Sequence, residues 1–131
     1  MINSSELRIG NWISTPRSDR KAVEIVVKNN DYAATFDGLH EGYYLEDCEP
    51  IELTEEWLLK FGFSDKDYKP GYIGIDVCHT DFVLEKPNEE HKEYAFMFDY
   101  GGWPRIKRFK FVHELQNFFY SLYKEDLKIN S

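Results

Sequence analysis

Residues 50–63 read Pro-Ile-Glu-Leu-Thr-Glu-Glu-Trp-Leu-Leu-Lys-Phe-Gly-Phe, and this stretch decides how the chain is divided. Thr54 is a residue type that caps the first turn of a helix, and the two glutamates after it suit the positive end of the helix dipole. Gly62 stands where a left-handed residue ends a helix. The stretch therefore predicts a short capped helix between a β-rich N-terminal half and a C-terminal half of strands followed by a helix.

The apolar residues of this short helix lie on two sides. Trp57, Leu58 and Phe61 share one face, and Leu59 points nearly the opposite way. A helix of this length is marginal alone. We therefore expect it to be packed from both directions, with Trp57 and Phe61 in the core.

Composition is typical of a folded domain that works inside a cell. At 131 residues, 17% of them aromatic, the chain is long enough for one domain with a real core. Two cysteines are too few for a disulfide framework and suit a reducing compartment. No signal-peptide pattern and no run of about 18 apolar residues is present, which predicts a cytoplasmic protein without a membrane span.

The order of patterns predicts an α+β fold in a single domain, residues 1–131. Residues 1–53 form a small β unit of four short strands, residues 54–63 the linking helix, and residues 64–131 an antiparallel sheet plus a C-terminal helix packed against it. Short strands with tight turns favour an SH3-like small β-barrel for the first unit, with a plain meander leading into one larger sheet as the alternative. The C-terminal helix is amphipathic, with its apolar face formed by Val112, Leu115, Phe118, Phe119 and Leu122.

The charge is strongly polarised along the chain. The net charge is −8; residues 1–65 hold 6 basic and 13 acidic residues (−7), and residues 66–131 hold 10 basic and 11 acidic residues (−1). Seven carboxylates and no Lys or Arg occur between Glu41 and Leu59. An acidic field steers association with a basic partner, although ordinary solubilising charge explains the same pattern. The candidate partner-binding residues are Glu46, Asp47, Glu49, Glu52, Glu55 and Glu56.

A basic segment later in the chain supports an alternative, nucleic-acid binding. Its cations are Arg105, Lys107, Arg108 and Lys110, with Phe109 and Phe111 among them. Cations would meet phosphates and exposed aromatic rings would meet bases. Strand alternation places those rings in the core instead, and the acidic remainder of the chain repels a long polyanion.

The C-terminal helix carries the third candidate, a small-ligand or enzymatic site at His113, Gln116 and Asn117. Gln116 lies at the edge of the apolar face, where it either satisfies a buried backbone group or marks a contact surface. His113 and Asn117, one turn apart, lie on the opposite side and either bind a ligand or are simply solvated.

Sequence motifs of catalysis are absent. There is no phosphate loop, dinucleotide fingerprint or nucleophile elbow, so the chain leans towards a non-enzymatic role with no cofactor and no metal. The densest reactive segment, from Asp76 to Asp81, includes Cys78 and His79. Neighbours on a strand point apart, and we therefore interpret it as the polar end of a hairpin.

Three blocks resemble a family of small proteins of unknown function carried by phages, prophages and conjugative elements of gut bacteria. They are residues 7–13 (Leu-Arg-Ile-Gly-Asn-Trp-Ile), the opening stretch 50–63, and residues 111–117 (Phe-Val-His-Glu-Leu-Gln-Asn). Their order matches the family, and they bracket nearly the whole chain; Phe111 and Glu114 depart from its usual Tyr and Gln. The resemblance implies an accessory protein of a mobile element and assigns no catalytic residue.

Overall fold

The computed structural model describes residues 7–16, 19–28, 31–36, 43–77, 79–97 and 105–129. It confirms a mixed α+β architecture. The elements, in chain order, are β1 (Trp12–Ser14), β2 (Asp19–Lys28), β3 (Asp31–Phe36), β4 (Tyr43–Tyr44), a one-turn 3-10 helix (Leu45–Asp47), α1 (Glu55–Lys60), β5 (Tyr72–Val77), β6 (Thr80–Glu85), β7 (Tyr94–Met97), β8 (Arg105–Phe109) and α2 (Val112–Tyr123). They fall into two compact units, Met1–Glu52 with Phe111–Leu127, and Leu53–Lys110 with Lys128–Ser131.

The first unit is built on an antiparallel sheet in the order β1-β2-β3-β4. In its registers Trp12 pairs with Lys21, Ala33 pairs with Tyr44, and a register shift interrupts the β2–β3 ladder between Ala22 and Glu24. Each strand pairs with its neighbour in sequence, so the sheet is a meander, but β5–β8 form a second sheet and the meander does not lead into one larger sheet. An SH3-like barrel is not confirmed, because the sheet is not closed.

An isolated bridge extends this sheet beyond its four strands. The N–H of Ser14 donates to the carbonyl of Glu49 and the N–H of Glu49 donates to the carbonyl of Ser14, each at 2.9 Å. The segment after the 3-10 helix is thus tied to β1 at the opposite edge from β4.

Helix α2 belongs to this first unit and packs on β1. Its N-terminus is capped by Glu114, whose carboxylate accepts from the N–H of Phe111 at 2.9 Å. The structure groups α2 with the first unit, whereas the sequence prediction grouped it with the second sheet. An amphipathic pattern shows that one face is buried, but it does not name the surface that buries it. Leu122, expected on the apolar face, is 48% exposed because it lies in the last turn, past the contact.

The second unit is an antiparallel sheet in the order β5-β6-β7-β8, together with α1. Ile73 pairs with Leu84, which pairs with Phe96, which pairs with Lys107, so these four share one face of the sheet. The first two are fully buried. Aromatic rings fill the core around them, with Phe82 4.7 Å from Phe96 and 6.1 Å from Phe63 between ring centroids.

The local prediction for α1 is confirmed at both ends. The hydroxyl of Thr54 accepts from the N–H of Trp57 at 3.4 Å, and Gly62 adopts a φ of 95° after the last turn. Trp57, Leu58 and Phe61 are buried. Packing from two directions is wrong, because Leu59 is 54% exposed; six helical residues bury one face and leave the other in water.

Candidate functional site

The candidate partner-binding carboxylates of the first unit form an acidic strip, defined as Glu46, Asp47, Glu49 and Glu52. All four side chains are exposed. Leu45, Cys48 and Ile51, between and beside them, are buried. The buried apolar side chains therefore anchor the segment, and the carboxylates face solvent.

Backbone hydrogen bonds fix the conformation of the acidic strip. The N–H of Cys48 donates to the carbonyl of Leu45 at 3.1 Å, which closes the 3-10 turn. Beyond it, Glu49 is bridged to Ser14, and the carbonyl of Ile51 accepts from the N–H of Val112 at 2.8 Å. The backbone of the strip is thus closed by one turn and tied to Ser14 and Val112, which fixes the positions from which its carboxylates project.

Three of the strip's carboxylates have no ion pair with a described residue. Within the described part of the chain, no ion pair engages Glu46, Asp47 or Glu52. Burial, and then the negative charges of Asp47 and Glu49, raise the pKa of the Cys48 thiol to about 11. The strip is therefore a concentrated negative field.

The remaining candidate acids lie in the second unit and are already paired. Glu55 contacts the Lys86 ammonium at 2.8 Å, and Glu56 lies 3.7 Å from Lys60 one turn later. Lys86 also bonds Asp65 at 3.0 Å, and these two carboxylates raise the pKa of Lys86. Glu55 and Glu56 are consequently weaker candidates than the strip, and Glu41, the start of the acidic run, lies outside the described residues.

The structure divides the basic candidates of β8. Lys107 and Lys110 are exposed, and Arg108 is half-buried with one terminal guanidinium nitrogen fully covered; the side chain of Arg105 lies outside the description. Phe109 is fully buried. The idea that bases stack on this strand's aromatic rings is therefore wrong for Phe109, because its ring belongs to the core.

The polar residues of α2 are brought together with the N-terminal segment. Gln116 is 1% exposed; its Oε1 accepts from the N–H of Trp12 at 2.8 Å, and its Nε2 donates to the carbonyl of Gly10 at 2.9 Å. Asn117 accepts from Arg8 Nε at 3.3 Å and from Asn11 Nδ2 at 2.9 Å. Gln116 thus satisfies backbone groups. Of the two roles expected for it, a backbone partner or a contact surface, the structure shows the first.

His113 does not face solvent. Its side chain is 1% exposed, and its ring stacks on that of Phe111 with centroids 5.9 Å apart. The expectation that His113 lies opposite the apolar face is wrong. Histidine is intermediate between buried and exposed residue types, so helical spacing alone does not decide its burial.

Arg8 is the residue that sequence reasoning missed at this place. Its guanidinium contacts Asp126 at 2.7 Å and lies 4.2 Å from the centre of the Tyr120 ring. Together with the Asn117 contact, this joins the block at residues 7–13 to the block at residues 111–117. In the sequence, the signal for this contact was that both blocks belong to the same family resemblance.

The reactive segment at the β5–β6 hairpin forms a polar tip. Asp76 pairs with Asp81 across the ladder, His79 is exposed with a φ of 69°, and Cys78 lies outside the described residues. The Tyr68 hydroxyl donates to Asp81 at 3.0 Å; burial and that bond raise the pKa of Tyr68 to about 12. Among the described side chains, no three His, Cys, Asp or Glu are grouped to hold a metal ion.

Comparison of the chain with protein-family models, with curated proteins and with solved structures finds no match.

None of the helices in the described ranges has the length and apolar character needed to cross a membrane.

Proposed function

We propose that this chain is a non-enzymatic protein-binding module, an accessory protein of a phage or mobile element, that engages a basic surface of a host or phage protein in the host cytoplasm. The acidic strip is the contact surface. The observation that carries the proposal is three exposed carboxylates, Glu46, Asp47 and Glu52, that no ion pair among the described residues engages, on a backbone bonded to Ser14 and Val112.

Rigidity and charge support binding in different ways. A pre-organised segment loses little conformational entropy on association, so more of the contact energy appears as affinity. Carboxylates that are not already neutralised steer a basic partner and raise the association rate, an effect that salt weakens. The partner implied is therefore a protein surface rich in Lys or Arg.

The hydrogen bonds of Gln116 and Asn117 on α2 favour the protein-binding assignment over a ligand site on this helix. Both polar atoms of Gln116 are used by the backbone at Gly10 and Trp12, and the carbonyl oxygen of Asn117 accepts from two side chains. Groups engaged in this way hold the fold and are not offered to a substrate.

We also propose that the first unit is related to SH3-like barrels. The support is the succession of four meander strands, a 3-10 turn, and a following segment that bridges back to β1 through Ser14 and Glu49. Slow amide exchange at Glu49 in solution is the expected result; exchange at the rate of an open loop would contradict it.

The binding test compares two variants with equal change in net charge. The strip variant carries Glu46→Gln, Asp47→Asn and Glu52→Gln. The control neutralises three exposed acids elsewhere, Asp67→Asn, Glu89→Gln and Glu90→Gln. Each is used to capture proteins from host lysate at graded salt, and the affinity of any stoichiometric partner is then measured with purified components.

We expect the strip variant to bind about tenfold or more weakly, since three charge contacts of a few tenths to one kcal/mol each are removed. The control should bind like the unmodified protein. Absence of a stoichiometric partner at moderate salt, or equal loss in both variants, would refute the assignment.

A further inference from the structure

Hydrogen bonds tie both ends of residues 49–52, the second half of the acidic strip, to other parts of the first unit. At the start, Glu49 and Ser14 exchange two backbone bonds of 2.9 Å, which attach the strip to β1. At the end, the N–H of Val112, the first residue of α2, donates to the carbonyl of Ile51 at 2.8 Å. The strip is therefore bonded to β1 on one side and to α2 on the other.

Helix α2 closes a circuit, because it also binds β1 and the residue before it. Gln116 accepts from the N–H of Trp12 at 2.8 Å, and Asn117 accepts from Nδ2 of the fully buried Asn11 at 2.9 Å. Val112 and Gln116 are about one helical turn apart, so one turn of α2 connects the strip to β1. Every residue of this circuit belongs to the first unit.

The joint between the strip and α2 consists of few contacts. Besides the bond from Val112 to Ile51, it includes the antiparallel bridge between Glu52 and Phe111. Segments linked in this way open as cooperative units. Because Val112 moves with its helix, separation of α2 from β1 pulls the donor away from Ile51, a buried residue whose carbonyl is then left unsatisfied at a cost.

We propose that docking of α2 on β1 regulates the acidic strip, an inference that rests on the protein-binding function proposed above. While α2 is docked, the strip keeps the conformation that binds a basic surface. When α2 opens, the strip is released at Ile51 and its carboxylates lose their fixed positions. By linkage, a basic ligand that binds the ordered strip also holds α2 on β1. Val112 is then a positioning residue, whose N–H acts on the strip through Ile51.

Removal of a single N–H tests the joint. Val112 is the first helical position, where Pro is well tolerated, and Phe111 before it is extended (φ −121°, ψ 152°), as a residue before Pro prefers to be. Val112→Pro removes the bond to Ile51. Val112→Ala is the matched control, because it also shortens the side chain but keeps the N–H. Circular dichroism of both full-length variants shows whether they are folded.

Amide exchange at Asn11 and Glu49 is the measurement. The Asn11 amide donates to the carbonyl of Arg8 at 3.0 Å, in the segment that α2 holds, and the Glu49 amide donates to Ser14. Both should exchange about tenfold faster in Val112→Pro than in Val112→Ala, the effect of one lost bond at a buried carbonyl. Equal exchange in the two variants would overturn the proposal.

The unmodified protein decides the question if Val112→Pro does not fold. At low urea, the amides of Asn11, Glu49 and Val112 should share one opening free energy and one urea dependence, as members of a single unit do. Their common value should lie below that of the amides in the β2–β3 ladder. Easier opening at Glu49 than at Asn11, or values equal to those of the ladder, would mean that α2 and the strip do not form a unit of their own.

A blocked hexalysine peptide tests the regulation. At about 100 times its Kd for the charge-matched control of the binding test, it should slow exchange at Asn11 about a hundredfold in that control. In the strip variant, which binds about tenfold more weakly, the same peptide concentration should slow it about tenfold or less. Asn11 is fully buried, so the peptide does not shield its amide by direct contact.

The outcomes separate this inference from the function on which it rests. Protection of Glu49 without protection of Asn11 would overturn the coupling and leave the protein-binding function standing. Equal affinity of the strip variant and its control for hexalysine would contradict that function, whereas a shared opening of Asn11 and Glu49 in the free protein would still support the circuit.

Discussion

Replacing Gln116 by Met tests whether one side chain fastens α2 to the N-terminal segment. Met is close to Gln in volume and shape, so the change leaves little cavity and removes only polar atoms. Two hydrogen bonds are lost, from the Trp12 N–H at 2.8 Å and to the Gly10 carbonyl at 2.9 Å. Both were made by a side chain that is 1% exposed.

The expected loss is about 2–4 kcal/mol of unfolding free energy, from about 1–2 kcal/mol for each backbone group left without a partner. Trp12 and Gly10 are only half-buried, and water therefore recovers part of the loss. For a domain stable by about 5–15 kcal/mol, this moves the urea midpoint down by roughly 1–2 M.

Urea unfolding and amide exchange measure the effect together. The Trp12 amide should exchange faster in Gln116→Met, because its acceptor is gone. Ser121→Ala is the matched control: Ser121 is exposed on the same helix and donates to the Phe118 carbonyl at 2.7 Å within it, so its change should stay within about 0.5 kcal/mol. An unchanged urea midpoint with unchanged Trp12 protection would refute the role given to Gln116.

Three further outcomes are expected. Leu58→Ala should lower the unfolding free energy by about 2–5 kcal/mol because the side chain is fully buried, and Leu59→Ala by less than about 0.5 kcal/mol because it is exposed; urea unfolding measures both. Cys48, with a pKa raised to about 11, should resist alkylation at pH 8 in the folded protein and react readily in urea, as peptide mapping will show. The hydrogen bond and charge of Lys86 lower the pKa of Asp65 below its ordinary value of 3.8, so the stability it contributes is present above that pH and is lost as pH falls through the lowered pKa. Asp65→Asn should therefore flatten the acid limb of the stability–pH curve.

Each of these has its own contradicting result. Equal losses at Leu58 and Leu59 would mean that α1 is packed from both sides. Rapid labelling of Cys48 without denaturant would show that its segment opens freely. A curve for Asp65→Asn that is parallel to the unmodified protein down to low pH would mean that the Lys86 contact is absent in solution.

The features predicted correctly from sequence are those fixed by near neighbours. Thr54, three residues before Trp57, and Gly62, just after the last turn, define α1 because capping is a local hydrogen-bonding problem. The burial of Leu58 follows from helical periodicity in the same way. None of these needed knowledge of the rest of the fold.

Errors and omissions concern contacts between distant residues. Lys86 neutralises Glu55 from 31 positions along the chain, and Arg8 reaches the Gln116 carbonyl across a separation of 108. Periodicity showed that α2 has an apolar face but could not place β1 against it. The acidic strip was predicted from composition, but its anchoring through Ser14 and Ile51 depends on the tertiary fold.

The interrupted path of the chain through the first unit has a consequence for biosynthesis. This unit needs residues on both sides of Leu53–Lys110, so its sheet is synthesised long before the helix that covers β1. On the ribosome Leu53–Lys110, which holds all of the second unit except Lys128–Ser131, emerges before α2, and its strands pair with their neighbours in sequence. We therefore expect the middle of the protein to fold before its N-terminal segment. That segment is completed only when α2 has been synthesised, because Gln116 bonds the backbone at Gly10 and Trp12.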